Sequence, residues 1–312
     1  MNRLPQPFWI GLSVVALSIF FSRLSPRFLS GENIVNIMDQ SSINIVVAVG
    51  MTLVIASAGI DLSAGGNVAV SGIVIASMIK AGFGVVPTVA FALLTGAILG
   101  LLNALLVVKL KINPFMATLA MMSVLGGGAL IVTQGIPIYG FSPDFSWIGR
   151  GKVAGFPVSV LVCAVVVSAG VFLTRFTRLG IYVAALGGNE EALRRNGVSS
   201  HLYKSALYVL CGACAAIASV ILTSKLNSAE PLAGSMVEMN AIATVVLGGT
   251  KIRGGFARIE GTLLAGILMG VIRNGLVLAG ISSYYQQFVT GFIILAAIIV
   301  SERSKEEKGR KQ

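Results

Sequence analysis

The sequence predicts an all-α fold, a polytopic transmembrane helical bundle of about ten spans with broken helices, forming a single transmembrane domain over residues 1–312. Hydrophobic residues make up 55% of the 312 positions and charged residues 11%, against roughly a quarter charged in soluble domains. Apolar runs long enough to cross a bilayer recur along the whole chain. The net charge of +11 comes from short Lys and Arg clusters between these runs, which is typical of membrane topology rather than of a nucleic-acid-binding face.

Ten candidate spans follow one another along the chain. Two of them are too short to cross about 30 Å of hydrocarbon alone, so we expect them to extend into their flanks or to be broken helices. Eight or nine full spans with re-entrant pieces would give a similar pattern. The spans are 8–22, 43–60, 67–79, 84–108, 115–133, 153–174, 205–223, 239–249, 261–280 and 284–300, of which 67–79 and 239–249 are the short ones.

The distribution of basic residues predicts that both chain termini are cytoplasmic. With the N-terminus inside, the cytoplasmic segments carry 16 Lys and Arg residues and the segments on the other side carry 6, while Arg273 falls within a span. This bias is the one that the positive-inside rule describes. The longest cytoplasmic segment is then the loop 175–204. Within the spans, Gly96 with Gly100 and Gly266 with Gly270 have GxxxG spacing, which favours close helix packing.

The loop 175–204 contains a short charged helix with a signal at each end. Carboxylates in its first turn and guanidiniums in its last turn suit the helix dipole. The i, i+4 spacing predicts two ion pairs, Glu190 with Arg194 and Glu191 with Arg195. Such a helix at the membrane face is well shaped to be gripped by a cytoplasmic partner. The residues assigned to this contact are the N-cap Asn189, Glu190, Glu191, Leu193, Arg194, Arg195 and the stop Gly197.

Two Gly-rich polar breaks interrupt the apolar pattern, at 57–67 and at 247–261. Paired breaks of this kind indicate a transport pathway built from discontinuous helices. Asp61 either caps the helix that follows it or serves the pathway, because an acid at membrane depth is unfavourable without a partner. Polar side chains near the breaks and in the late spans either line an aqueous cavity or hydrogen-bond between helices. The candidate pathway residues are Asp61, Ser63, Asn67, Glu238, Asn240 and Asn274.

The chain offers no machinery of its own for energy conversion or catalysis. Its Gly151-Lys152 pair lacks the rest of a Walker A motif, so we expect no cofactor here and ATP on a partner subunit. His201 is the single histidine, so neither a His-based metal site nor Ser-His catalytic machinery can be assembled. An intramembrane enzyme is therefore disfavoured. A secondary transporter with Asp61 or Glu238 as its ion site stays open as an alternative.

Several motifs are highly specific when they are taken together. They are GIDLS at 59–63, INPFMATL at 112–119, TRLG at 177–180, ALGGNEEALRRNGV at 185–198, LNSAEPLAG at 226–234, AIATVVLGGT at 241–250, and NGL with SSYYQQ within 274–287. With these motifs, roughly residues 40 to 300 resemble the permease subunits of bacterial ABC importers of the ribose type. The broader group of that family includes branched-chain amino acid permeases.

The resemblance implies a homodimeric or heterodimeric core in the bacterial inner membrane, cytoplasmic ATP-binding subunits and an extracytoplasmic sugar-binding protein. It also implies that the helix 189–196 is the coupling helix that docks into the ATPase, and that a monosaccharide crosses by alternating access. Two departures concern the substrate. Asn240 stands where sugar permeases often carry an acid, and Phe256-Ala257 replaces the more usual Arg-Gly. A permease for an amino acid or signal molecule of the same architecture therefore stays open.

Overall fold

The computed structural model describes residues 6–282, 284–285, 288–289, 291–292 and 295, and residues 6–282 form eleven helices. A π-helical turn, Leu105–Lys109, continues α4, and two short antiparallel strand pairs join loops: β1 (Ile138–Tyr139) with β4 (Ser228–Ala229), and β2 (Lys152–Val153) with β3 (Phe156–Pro157). The all-α polytopic prediction is confirmed. The helices are α1 (Gln6–Leu24), α2 (Gly31–Ala56), α3 (Ala64–Lys80), α4 (Val85–Ala104), α5 (Pro114–Thr133), α6 (Pro143–Arg150), α7 (Val158–Arg175), α8 (Arg178–Arg195), α9 (Ser200–Leu226), α10 (Val237–Leu247) and α11 (Ile259–Leu278).

Within the described residues, seven helices are long and apolar enough to cross a membrane. The two spans expected to be short are the helices α3 and α10, of 17 and 11 residues. The last candidate span, 284–300, lies largely outside the described residues, so the count of ten stays a prediction. The seven long helices are α1, α2, α4 with its π-helical turn, α5, α7, α9 and α11.

Helix α2 begins twelve residues before the predicted span 43–60, and the predicted start is therefore wrong. Ser30 caps it by accepting a hydrogen bond from the Asn33 amide at 3.3 Å. The first half of α2 carries polar side chains that break the apolar pattern. These side chains find partners on other helices: Asp39 pairs with Lys225 of α9 at 2.5 Å and with Ser159 of α7. The hydrophobic pattern of the sequence did not predict the first half of α2, because the polar residues there have partners in distant parts of the chain.

Contacts among loops and helix ends show which of these segments lie together at each of the two ends of the helical bundle. One end carries the charged helix 189–196, which we call the capped helix, and is named the capped-helix end. There Gly255 N donates to Ala56 O at 2.8 Å, and Arg175 pairs with Glu260 at 2.7 Å. At the other, the strand end, β1 pairs with β4, and Gly149 N donates to Ser224 Oγ at 2.7 Å. The predicted alternation of segments between two sides agrees with this sorting. Which end faces the cytoplasm stays a prediction.

Helix α9 runs through the middle of the bundle and packs against α2, α3 and α4. A Cβ added at Gly96 of α4 would lie 2.4 Å from Gly212 O, and one at Gly100 would lie 2.3 Å from Tyr208 O. The backbones of α4 and α9 therefore touch, as the GxxxG spacing predicts. The second such pair acts in the same way between α11 and α2, since a Cβ at Gly266 would lie 2.3 Å from Ile45.

Candidate functional site: the capped helix and the two helix breaks

The predicted charged helix is the last turn and a half of α8. Asn189 leaves the helical conformation, with φ −157° and ψ 95°, and its Oδ1 accepts a hydrogen bond from Ala192 N at 2.9 Å. Asn189 is therefore an N-cap inside a longer helical segment, as its sequence position predicts. Gly197 follows in the left-handed region with φ +77°, and its amide donates to Arg194 O at 3.0 Å. The predicted stop is confirmed.

The ion pairs of this helix differ from the predicted ones in one respect. Glu191 pairs with Arg195 at 3.2 Å, as expected, and also with Arg194 at 2.8 Å. The predicted pair of Glu190 with Arg194 is wrong. Glu190 instead pairs with Lys204 Nζ at 2.8 Å, because α9 brings that ammonium to the start of the capped helix.

The Glu190–Lys204 pair fixes the charge of Glu190. Partial burial raises the pKa of this carboxyl, but the hydrogen bond and charge of Lys204, together with smaller contributions from Ser200 and His201, outweigh burial, so the pKa of Glu190 lies below its ordinary value. Leu193 adds an apolar anchor, since its side chain is buried in the main core. The capped helix therefore also packs within the protein. One face is fixed to α9 and to the core, while Glu191, Arg194 and Arg195 face outward.

The two Gly-rich breaks meet each other directly beside α8. Ala56 ends α2 at the first break, and its carbonyl accepts from Gly255 of the second break. Gly187 of α8 lies on this bond, since a Cβ there would be 2.1 Å from Ala56 O and 2.2 Å from Gly255 N. Only glycine allows such an approach of three backbone segments. The segment that carries the capped helix therefore touches both breaks at once.

Asp61 lies at the centre of a buried polar cluster between α3, α4 and α9. Its Oδ1 accepts from Ser63 N at 3.0 Å and from Ser63 Oγ at 2.7 Å. Asn103 Nδ2 donates to the same oxygen at 3.2 Å and to Ser63 Oγ at 2.7 Å. Tyr208 of α9 closes the cluster by donating its hydroxyl to Ile60 O at 3.3 Å. The geometry at Ser63 is that of a side chain that organises the turn into α3.

Asn67 and Glu238 are also buried, each at a helix contact. Asn67 Nδ2 donates to Gly96 O at 3.2 Å and lies 3.4 Å from Gly212 O, so it joins α3 to the place where α4 and α9 touch. Glu238 of α10 reaches the first turn of α3, where a Cβ on Gly65 would lie 2.1 Å from its Oε2. A carboxylate there is favoured by the positive end of the α3 dipole.

Asn240 lines a narrow cavity between α2, α10 and α11. The cavity has a volume of ≈ 30 Å³, about the share of one water molecule. Asn44 lines it too: its Nδ2 donates to Thr244 Oγ1 at 2.8 Å, and its Oδ1 has no partner among the described residues. Arg273 lies at the same cavity with an exposed side chain. We call this narrow crevice between three helices, which Asn44, Asn240 and Arg273 line together with apolar residues, the polar seam.

Asn274 lies away from these groups, near the strand end. Its amide exchanges two hydrogen bonds of 2.9 Å with Asn33 of α2, and both side chains are buried. This arrangement matches the interhelical alternative for polar residues in the late spans. The structure thus brings Asp61 and Ser63 together and places Asn67 on α3, with Glu238 of α10 against the first turn of that same helix. It keeps Asn240 and Asn274 apart from them.

Three residues that the sequence reading passed over take part in these contacts. Asn103 is a lone asparagine in the apolar run of α4, which by itself is a signal of a buried partner. Asn44 gives the same signal, because it is the single asparagine of the predicted apolar span 43–60. Lys204 carries none, because its pairing with Glu190 depends on how α8 and α9 pack.

Comparisons with known proteins agree on one family. The family described as branched-chain amino acid transport system permease component matches residues 33–298. The ribose import permease protein of Escherichia coli (strain K12) is 41% identical over 94% of this chain and 93% of its own length, and that of Bacillus subtilis (strain 168) is 42% identical over 94% and 91%. The D-allose transport system permease protein of E. coli K12 is 37% identical over 93% and 89%. No solved structure matches.

Proposed function

We propose that this chain, which belongs to the family of branched-chain amino acid transport system permease components, is the membrane-spanning subunit of an ATP-driven importer for a monosaccharide. The observation that carries the proposal is its similarity, over about nine-tenths of both chains, to permeases named for ribose and D-allose. Its site in the inner membrane, its dimeric core and its two partners, an ATP-binding subunit and an extracytoplasmic sugar-binding protein, are parts of the same proposal.

The capped helix is the proposed docking element for the ATP-binding subunit. Its outward face offers a carboxylate, Glu191, and two guanidiniums, Arg194 and Arg195, all at least half exposed. Its inward face is held by Leu193 and by the Glu190–Lys204 pair. A force on the outward face therefore moves the capped helix as a unit rather than unwinding one turn, and the movement passes to the first part of α8 through the kink at Asn189. The capped-helix end is cytoplasmic in this proposal, and both termini lie on that side.

Movement of α8 reaches the pathway through Gly187. Because this glycine lies against Ala56 O and Gly255 N, a shift of α8 acts on the end of α2 and on the break before α11 together. The first break contains Asp61, whose polar cluster positions α3, and the second follows α10, which bears Glu238 and Asn240. Alternating access then consists of re-packing α3 and α10 between two arrangements.

The proposed pathway residues divide into three roles. Asp61, Ser63 and Asn67 hold α3 in register with α4 and α9, and Glu238 contacts its first turn. Asn240, at the polar seam, is the proposed contact for sugar hydroxyls when the seam opens, since hydroxyls need hydrogen-bond partners there. Asn274 supports the pathway from behind, by tying α11 to α2.

The test is reconstitution of this chain with its ATP-binding subunit and sugar-binding protein in lipid nanodiscs, with ATPase activity measured as sugar is added. We expect stimulation by a loaded sugar-binding protein and none by the empty one. The variant with Glu191, Arg194 and Arg195 replaced by alanine should insert normally but lose this stimulation. Transport at the normal rate by the triple variant, or transport by the wild type without ATP, would contradict the proposal.

A further inference from the structure

An apolar groove opens on the side of the bundle between α4, α7 and α9. Its volume is about 390 Å³, and all ten side chains that line it are aliphatic. They include Leu93 of α4, Val162 of α7 and Ile221 of α9, and Ile148 of α6 lines the groove near the strand end. Since this chain crosses a membrane, such a groove is filled either by lipid or by another protein.

The groove occupies only the half of the bundle next to the strand end. Its lining residues on α7 lie between Leu161 and Val166, in the first half of a helix that runs from Val158 to Arg175. A seam for a neighbouring transmembrane helix would extend along most of α7, because packed helices interlock over several turns. A groove of half that length, confined to the strand-end half of the bundle, instead suits an acyl chain of one leaflet.

The basic side chain of Arg150 lies at the strand-end mouth of this groove. Arg150, the last residue of α6, donates from Nε to Lys225 O at 2.9 Å. Lys225 lies four residues after Ile221 on the same face of α9, one turn beyond the groove lining. Gly149 fixes this contact, since a Cβ there would lie 2.3 Å from Lys225 N. The Arg150 guanidinium is therefore held just outside the apolar wall.

Two further side chains mark the membrane interface at this mouth. Lys152 is exposed on β2, two residues after Arg150, and Trp147 is about half exposed on α6. Tryptophan and basic residues are enriched at the depth of lipid headgroups, where guanidinium groups bind phosphate. The end of α6 thus has the composition of a headgroup contact directly above the apolar groove.

We propose that this groove is a binding site for one anionic phospholipid, with an acyl chain between α4, α7 and α9 and its phosphate at Arg150. The apolar wall supplies affinity, and the guanidinium supplies selectivity for a headgroup with net negative charge. The site lies at the opposite end of α7 from the capped helix. It goes beyond the transport role and does not depend on it.

Native mass spectrometry of the purified chain in detergent, with phosphatidylglycerol or phosphatidylcholine added, tests the site. We expect one retained phosphatidylglycerol on the wild type. Val162→Phe should lower its occupancy at least fivefold by filling the groove, whereas Val132→Phe, on the exposed face of α5, should not. Arg150→Gln should lower the preference for phosphatidylglycerol at least threefold and leave phosphatidylcholine binding unchanged, with Arg23→Gln as the matched control.

Thermal unfolding followed by circular dichroism checks that each variant is folded. If Val162→Phe does not fold, Val165→Trp fills the groove from its exposed edge and takes its place. The proposal is overturned if the wild type retains no lipid or if the groove-filling variant binds as the wild type does. Rapid disulfide-linked dimerisation of Val165→Cys in the membrane would also overturn it, because a second copy would then occupy the groove.

Discussion

Replacing Gly187 by alanine should disconnect the capped helix from the two helix breaks. The new methyl carbon would lie 2.1 Å from Ala56 O and 2.2 Å from Gly255 N, both backbone atoms that cannot rotate away. Overpacking of this kind costs about 1–3 kcal/mol, and the hydrogen bond between Ala56 and Gly255 contributes about 0.5–1.5 kcal/mol. Alanine regains about 0.5–1 kcal/mol as a better helix former. The close contact is therefore disfavoured by roughly 1–3 kcal/mol, which lowers its population by a factor of about 5 to 150.

Gly188 provides a matched control in the same helix. A Cβ at Gly188 meets no atom within 4 Å, so Gly188→Ala should keep the contact and stabilise α8 slightly. In nanodiscs with both partners, we expect Gly187→Ala to assemble with the ATP-binding subunit and to hydrolyse ATP. Its uptake of sugar per ATP hydrolysed should fall about tenfold.

Two measurements separate loss of coupling from loss of folding. Co-purification reports whether the outward face of the capped helix still docks, and thermal unfolding reports whether the bundle is intact. Equal uptake per ATP by Gly187→Ala and Gly188→Ala would refute the reasoning, because the close approach of three backbone segments would then have no part in transport.

Three further predictions concern charge, orientation and the energy source. Since the pKa of Glu190 is lowered in the folded chain, its pairing with Lys204 should stabilise α8 fully above the ordinary carboxyl pKa. That contribution should fade as the pH falls through the folded value; hydrogen exchange of the α8 amides measures it, and Glu190→Gln should flatten the dependence. A cysteine at Ser142 should react with an impermeant thiol reagent from outside intact cells and one at Ser304 should not; the reverse pattern would invert the topology. Asp61→Asn should reduce sugar flux without creating a dependence on an imposed proton gradient. ATP-independent, proton-driven uptake that disappears in this variant would support a secondary transporter instead.

Local signals predicted those features whose causes lie within a few residues. Asn189 caps and Gly197 terminates the charged helix because each needs only the neighbouring backbone. The GxxxG pair Gly96 and Gly100 was readable because four-residue spacing puts both on one face. The two breaks were visible as glycine clusters, but their contact through Ala56 and Gly255 was not.

The failures come from partners that lie far apart in sequence. The sequence did not predict a membrane helix in the polar half of α2, because the partners of its polar side chains are distant. Asn33 hydrogen-bonds with Asn274, and Asp39 forms an ion pair with Lys225. Glu190 prefers Lys204 over the predicted Arg194 because packing of α9 offers a more buried ammonium. Spacing along one helix describes what a side chain can reach there, and tertiary packing decides which of the available partners it takes.

Helix α9 carries an ion pair at each end, and together the two pairs constrain the length and the rotation of the helix between them. Lys204 holds Glu190 at one end and Lys225 holds Asp39 at the other. The two lysines are 21 residues apart, about 32 Å along the axis. One residue inserted between them would turn one lysine by about 100° against the other. Both pairs could not then survive, whereas an insertion of seven residues would restore the angle but lengthen the rod by about two turns. The length of α9 between its two lysines is therefore constrained by partners at both ends.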